Sequence, residues 1–184
     1  MSSMDTIEQQ TGVIRGQPMD VQNALEGTNP GYDPLSLPDG PYKNNCQRCV
    51  PAYELRRRGY DVEALPSPVG ADSVKSNNVG FNVFIDNDGN IMTYTLTAQT
   101  DLMGQLESFP DGSRFAVRNS WRGGGGHVYI AEKQSGTVSF YDPQDPNTDA
   151  AAYITRKDAW KFGYMRINDA QFNPDIPLSE IVRG

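Results

Sequence analysis

Histidine and cysteine are the scarcest reactive residues of this chain. Among 184 residues there is one histidine, His127, and there are two cysteines, Cys46 and Cys49. Two cysteines three positions apart cannot build the disulfide framework of a small secreted domain. Because a cysteine nucleophile at neutral pH usually needs an imidazole partner, thiol catalysis in this chain would have to use His127.

Basic residues and long apolar runs are also lacking. Lys and Arg number 16 against 23 Asp and Glu, which gives a formal net charge of −7. This charge argues against nucleic acid as a partner, because little of the surface would neutralise phosphates. No window approaches the roughly 18 consecutive apolar residues of a membrane span, and the N-terminus lacks the regions of a signal peptide. We therefore expect no membrane partner and a cytoplasmic protein as expressed.

Length and composition predict one folded domain. With 37% hydrophobic residues, a chain of 184 residues can fill one core but not two. Residues 1–27 are polar with scattered apolar positions, and we expect a mostly disordered leader there. Residues 28–184 are expected to form a single catalytic domain, whose first part is dense in proline and glycine turns.

Both cysteines lie in a segment that is predicted to contain a helix. Gly59 is the expected C-terminal stop, and the three arginines before it are expected to be solvated. Pro51 fits only in the first turn of a regular helix, which would place Cys49 at the first helical position. An irregular first turn would place Cys46 there instead. Residue chemistry alone leaves both cysteines open as the nucleophile.

His127 follows a run of four glycines and begins a predicted β-hairpin. A tight turn at Ser135-Gly136 would place Gln144 opposite the imidazole. A turn one residue earlier, or a four-residue loop, would place Asp142 there. A carboxylate or an amide on one ring nitrogen fixes the tautomer and leaves the other nitrogen for a thiol. Both registers therefore predict a triad-like arrangement.

Four short stretches in combination resemble a known family. They are residues 45–52, 58–64, 126–128 and 141–144. Together they resemble the papain-fold toxin (Tox-PL, protein-glutamine deamidase-like) family. Such domains occur at the C-termini of bacterial polymorphic toxins and secreted effectors, and similar domains are appended to phage head proteins. The resemblance covers about residues 29–182.

The resemblance implies an α+β, papain-like fold. An N-terminal helix carrying the cysteine would pack on a small antiparallel sheet carrying the histidine and the aspartate. The implied site is a triad with two side chains that serve as oxyanion donors or orienting groups: Cys46, His127 and Asp142, with Asn45 and Gln144. Cys46 is favoured because the Asn-Cys pair is the fixed part of the family pattern, and Cys49 remains the alternative nucleophile. No metal and no cofactor is expected.

The implied function is deamidation of a protein glutamine by thioester acyl transfer. The implied partners are a host or competitor protein with a reactive glutamine, and a cognate immunity protein or chaperone. The domain would be secreted or injected without a recognisable signal peptide. A cysteine protease, an isopeptidase or a transglutaminase would use the same machinery, so the sequence leaves these open.

Two further function classes compete with acyl transfer. A Cys-x-x-Cys redox site should follow a buried strand, which is missing here. A zinc site would have Cys46, Cys49 and His127 as its good ligands, one short of a closed structural set. A non-catalytic, phage- or effector-associated binding module is the other alternative, and the order of Cys, His and Asp along the chain argues against it.

Overall fold

A computed structural model describes residues 3–68 and 82–184. The helices are α1 (Ser3–Thr11), α2 (Val21–Thr28), α3 (Cys46–Arg58) and α4 (Leu102–Glu107). The strands are β1 (Glu63–Ala64), β2 (Phe84–Ile85), β3 (Thr95–Thr97), β4 (Arg114–Trp121), β5 (Gly126–Gln134), β6 (Thr137–Tyr141), β7 (Ala159–Arg166), β8 (Gln171–Phe172) and β9 (Val182–Arg183). Two 3₁₀ helices, Ala150–Thr155 and Leu178–Glu180, complete the described elements. Within these residues no helix is long and apolar enough to cross a bilayer.

A five-stranded antiparallel sheet with the strand order β3-β7-β4-β5-β6 is the centre of the fold. Both of its faces are buried. Ala116, Val128 and Ile130 belong to the same core as α3, whereas the intervening Val117 and Tyr129 belong to the core that contains α4. Successive side chains of a strand point to opposite faces, which explains why β4 and β5 are apolar over several consecutive positions. The expected α+β fold, with the cysteine helix on an antiparallel sheet, is confirmed.

Helix α3 begins at Cys46, the earlier of the two starts that the sequence allowed. The carbonyl oxygen of Asn45 accepts the N–H groups of both Arg48 and Cys49, which starts the helix ahead of the proline. Pro51 then lies in the second turn, where its missing N–H removes one helical hydrogen bond. The helix ends as predicted at Gly59, whose φ of 110° is left-handed.

Two buried carboxylates fix α3 against the sheet. Glu132 of β5 accepts hydrogen bonds from Arg57 at 2.8 Å and 3.0 Å and from the hydroxyl of Tyr53. Glu54 of α3 accepts from Arg114 of β4 at 2.7 Å and 2.8 Å, and it also pairs with the arginine at the end of its own helix. The arginines at the end of α3 were expected to be solvated. This expectation is wrong for Arg57 and Arg58, which form these buried pairs.

The described part of residues 1–27 contains α1 and most of α2, although the segment was expected to be mostly disordered. Asp20 caps α2 by accepting the N–H of Asn23 at 2.8 Å. Ile7 of α1 and Ala24 of α2 are buried in the same core as α3. Arg56 donates through Nε to the carbonyl oxygen of Ala24 at 3.1 Å. These contacts join the N-terminal segment to the C-terminal end of α3, and the domain boundary at residue 28 stays a prediction.

Candidate active site

Cys46 lies at the start of α3 and at the wall of a cavity. It is the first residue of the helix, it is partly exposed, and it lines a cavity of about 220 Å³. The first N–H groups of a helix have no partner within the helix and carry partial positive charge. Such a position stabilises negative charge. The structure therefore gives Cys46 both access and electrostatic support.

Cys49 does not line the cavity, and it lies beyond the first residues of the helix. Its side chain is fully buried in the core, one helical turn after Cys46. Burial raises the pKa of its thiol well above the usual value, and the nearby Cys46 and Asp142 raise it further. Both cysteines are free thiols. Among residues 3–68 and 82–184, no three His, Cys, Asp or Glu side chains are grouped as metal ligands would be.

His127 lies between the thiol and a buried carboxylate. Its side chain is 11% exposed, and its Nε2 is 2.8 Å from Oδ2 of Asp142. Burial lowers the pKa of His127, but hydrogen bonds with Asp142 and Cys46 raise it to about 10. Because Nε2 is used by the aspartate, Nδ1 is the ring nitrogen left for the thiol. The imidazole also lines the same cavity as Cys46.

The glycine before His127 allows two strands to meet beside the cavity. A Cβ atom added at Gly126 would lie 2.6 Å from the carbonyl oxygen of Asn119 on the neighbouring strand β4. Real Cβ atoms do not approach a backbone oxygen this closely, so a larger residue would push the strands apart. Glycine is therefore needed at this position because the two strands approach each other closely.

Asp142 is held by three donors. Its Oδ2 accepts from Nε2 of His127 and, at 2.7 Å, from the hydroxyl of Tyr153; its Oδ1 accepts the backbone N–H of Gln144 at 3.0 Å. Burial would raise the pKa of Asp142, but the hydrogen bond and charge of His127 and the other two donors lower it below its ordinary value. The carboxylate therefore stays ionised inside a protein interior.

The hairpin forms in the register with its turn at residues 135–136, both of which have positive φ (50° and 79°). This register was expected to place Gln144 opposite His127. The paired ladder ends at Tyr141, before it reaches either candidate. The side chain of Asp142 contacts the imidazole from beyond the end of the strand. The expected contact between Asp142 and His127 is therefore present. The strands do not pair in the register that would place these two residues directly opposite each other.

Neither Asn45 nor Gln144 lines the cavity that contains Cys46. Nδ2 of Asn45 donates to Oδ1 of Asn29 at 2.8 Å and to the carbonyl oxygen of Leu65 at 3.1 Å. Both of its amide hydrogens are therefore used away from the thiol. Gln144 lines a second cavity, of about 650 Å³, which borders His127 and Asp142 but not Cys46. Its backbone N–H orients the carboxylate.

Tyr153 is a site residue that the sequence did not single out. It lies eleven residues after Asp142, and the chain folds back through a 3₁₀ helix to bring its hydroxyl to the carboxylate. The local sequence signal is Asp149, which caps this short helix by accepting the N–H of Ala151. That signal indicates a turn and carries no information about where the tyrosine side chain ends.

The comparison with protein families agrees with this geometry. A family model described as papain fold toxin 1, glutamine deamidase, matches residues 44–146, more than half of the chain. The match includes Cys46, His127 and Asp142. The chain belongs to this family, and it is therefore a glutamine deamidase of the papain fold, which is a cysteine hydrolase. No curated protein matches the chain.

Proposed function

We propose that Cys46, His127 and Asp142 form the catalytic triad with which this chain deamidates glutamine side chains of a target protein. The observation that carries the proposal is the contact pattern of the sole histidine. One ring nitrogen bonds a buried, ionised carboxylate, and the other is left for a partly exposed thiol at a helix start. This is the arrangement that activates a cysteine nucleophile.

In the first half of the reaction, the thiolate of Cys46 attacks the carboxamide carbon of the substrate glutamine. A carbon–sulfur bond forms, and the carbonyl π electrons move to oxygen. In this proposal the backbone N–H of Cys46, at the start of α3, donates to that oxyanion. The imidazolium of His127 gives its proton to the departing nitrogen, so ammonia leaves and a thioester remains.

In the second half, water hydrolyses the thioester. The neutral imidazole of His127 takes a proton from the water as it attacks the acyl carbon, and the Cys46 sulfur leaves as thiolate. The products are a glutamic acid side chain, which releases its proton to solvent and becomes glutamate, and the starting thiolate–imidazolium pair. Asp142 keeps its charge throughout and holds the ring orientation, because its other donors remain bound.

The substrate in this proposal is a protein of a host or competitor cell. The family name includes the word toxin, which favours delivery into a target cell and a cognate immunity protein or chaperone in the producing cell. A polymorphic toxin or a phage-associated effector would fit this use. Proteolysis, isopeptide cleavage and transglutamination proceed through the same acyl-enzyme but differ in the leaving group or acceptor; the family favours deamidation.

An exposed apolar surface beside the site supports a protein substrate. Leu35 and Leu37 are 93% and 73% exposed on the loop that also supplies Pro38 to the second cavity. Nζ of Lys43 donates to the carbonyl oxygens of Pro34 and Ser36 at 2.9 Å and 2.7 Å, on either side of Leu35. Lys43 therefore holds the backbone around Leu35, and Leu37 immediately precedes Pro38, which lines the cavity that borders His127.

The proposal is tested by mass spectrometry of cells that express the wild type, Cys46→Ser or Cys49→Ala. We expect Gln→Glu conversions on a small set of proteins with the wild type and with Cys49→Ala, and none with Cys46→Ser. Equal conversion with Cys46→Ser would contradict the proposed nucleophile. New peptide termini would instead indicate a protease, and Gln–Lys cross-links would indicate a transglutaminase.

A further inference from the structure

Tyr153 contacts both His127 and Asp142 from outside the triad. Its hydroxyl donates to Oδ2 of Asp142 at 2.7 Å, the same oxygen that lies 2.8 Å from Nε2 of His127. Its ring meets the imidazole edge-on, with 5.3 Å between the centroids and 85° between the planes. Tyr153 also lies beyond residue 146, where the family match ends.

The position of Tyr153 is fixed by its own 3₁₀ helix. Asp149 accepts the N–H of Ala151 at 3.1 Å where this helix begins, and Nε2 of Gln99 donates to the carbonyl oxygen of Ile154 at 2.8 Å where it ends. The ring of Tyr153 packs on two further aromatic rings, those of Trp121 and Tyr129. The hydroxyl is thus held against the carboxylate from several directions.

The phenol remains a donor, because burial and the charge of Asp142 raise the pKa of Tyr153 far above its ordinary value. Other ionisable groups also face this carboxylate: the thiol of Cys49 from α3, Tyr32 from the N-terminal loop and Tyr129 from β5. Of these, Tyr129 donates its hydroxyl to Oδ1 of Asn119, at 2.9 Å, and Tyr32 donates to Asp145. Within the described residues, the side-chain hydrogen bonds to Asp142 come from His127 and Tyr153.

We propose that Tyr153 is a positioning residue that sets the strength of the hydrogen bond between His127 and Asp142. The inference rests on the proposed function of that pair. A phenol that donates to Oδ2 places the positive end of its O–H dipole beside the oxygen that the imidazole uses. It therefore weakens the hold of the carboxylate on the imidazolium proton. An imidazolium whose Nε2–H is held less tightly is a stronger acid at Nδ1, so it gives its Nδ1 proton more readily to the departing nitrogen of the substrate.

The sole histidine makes the test direct, since every imidazole signal in an NMR spectrum of the folded chain belongs to His127. Tyr153→Phe removes the hydroxyl and keeps the ring. Tyr129→Phe is the matched control, because its ring also packs on His127 but its hydroxyl bonds Asn119. We expect the Nε2–H proton of His127 to move downfield in Tyr153→Phe and to stay in place in Tyr129→Phe.

Tyr153→Phe should also raise the titration midpoint of His127 by about 0.5–1 pH unit, which is a three- to tenfold increase in proton affinity. It should lower kcat without changing KM. Incorporating 3-fluorotyrosine at position 153 strengthens the donor, so the Nε2–H proton should move the opposite way. An unchanged or upfield signal in Tyr153→Phe, or equal displacement in Tyr129→Phe, would overturn the proposal. The NMR result needs no substrate and is therefore independent of whether deamidation is observed.

Discussion

The imidazole of His127 is subject to two opposing effects. Burial lowers its pKa, whereas hydrogen bonds with Asp142 and Cys46 raise it, and the balance is a pKa of about 10. At neutral pH the ring is therefore an imidazolium, the form that stabilises a neighbouring thiolate. Since the chain has one histidine, this property rests on a single side chain.

The raised pKa of His127 predicts a specific dependence of stability on pH. The ordinary pKa of an unfolded histidine, about 6.5, lies below the folded value, so the protonated ring stabilises the fold fully below about pH 6.5. This contribution is lost as the pH rises toward 10. We expect the difference in unfolding free energy between the wild type and His127→Gln to shrink across that window, as measured by urea denaturation. A difference that stays constant there would contradict the assigned contacts.

The start of α3 shows what residue chemistry can predict. The sequence correctly predicted a helix near the cysteines that ends at Gly59, and the use of His127 in thiol chemistry stays a prediction. It left the helix start open, because Pro51 in the first turn of a regular helix favours a start near Cys49, whereas an irregular first turn allows a start at Cys46. The choice depends on the carbonyl oxygen of Asn45, which accepts the first N–H groups of α3.

At the scale of elements, α3 carries the thiol and β5 carries the imidazole, so their relative position matters for the site. Glu132 of β5 links them through Arg57 and Tyr53 of α3. Along the chain, Glu132 lies 75 residues from Arg57 and 79 residues from Tyr53. No local pattern predicts an ion pair at such separation, and this is why the arginines at the end of α3 were expected to be solvated.

Removing the charge of Glu132 should strongly destabilise the fold. Glu132→Gln leaves the guanidinium of Arg57, 14% exposed, without its carboxylate. We expect a loss of about 3–5 kcal/mol of unfolding free energy, measured by urea denaturation. Asp158→Asn is the control, because its pair with Arg156 is about half exposed (47% and 49%) and, as a surface ion pair, should contribute little to stability. Equal losses in both variants would mean that Glu132 does not anchor α3.

The hairpin of β5 and β6 illustrates a prediction that is confirmed in part. The alternating strands and the two candidate partners of His127 were evident from the sequence. The contact with Asp142 is present, but it is made by a residue beyond the end of the ladder. Sequence patterns specify which face a strand residue occupies while the ladder continues. They do not specify how the chain bends after it ends.

At the scale of the whole molecule, residues 1–27 contribute to the core around the end of α3. Their polar composition predicted disorder, yet Arg56 donates to the carbonyl oxygens of Ala24 and Asn23 at 3.1 Å and 3.0 Å. The N–H of Gly16 donates to the carbonyl oxygen of Gly59 at 2.7 Å. Composition could not reveal these contacts, because the segment supplies mainly backbone acceptors and few apolar side chains.

Deleting residues 1–27 should therefore lower stability. The deletion leaves a buried arginine, Arg56, with two of its acceptors removed, and hydrogen bonds to charged groups contribute about 1.5–3 kcal/mol each. We expect a loss of at least about 2 kcal/mol relative to the full chain in urea denaturation. An unchanged midpoint would instead show that this segment is the separable leader that its composition indicates.

The exposed leucines beside the site predict a defect that is specific to large substrates. In the double variant Leu35→Ser/Leu37→Ser, we expect roughly a hundredfold fewer Gln→Glu conversions in cells, because about 1.5 kcal/mol is lost for each of the two leucines that no longer buries on a target. The control is Ile14→Ser, which removes a side chain that is 77% exposed near the opposite end of α3. Equal conversion in both variants would exclude these leucines from target binding.

The most direct test of the central claim is alkylation of each cysteine by iodoacetamide as a function of pH, read by peptide mass spectrometry. It should be done on the folded wild type and on His127→Ala. We predict rapid alkylation of Cys46 below pH 8, a much slower rate in His127→Ala, and resistance of the buried Cys49 in both. If Cys46 reacts at the same rate without the imidazole, or if neither thiol reacts, the chain does not contain a histidine-activated nucleophile.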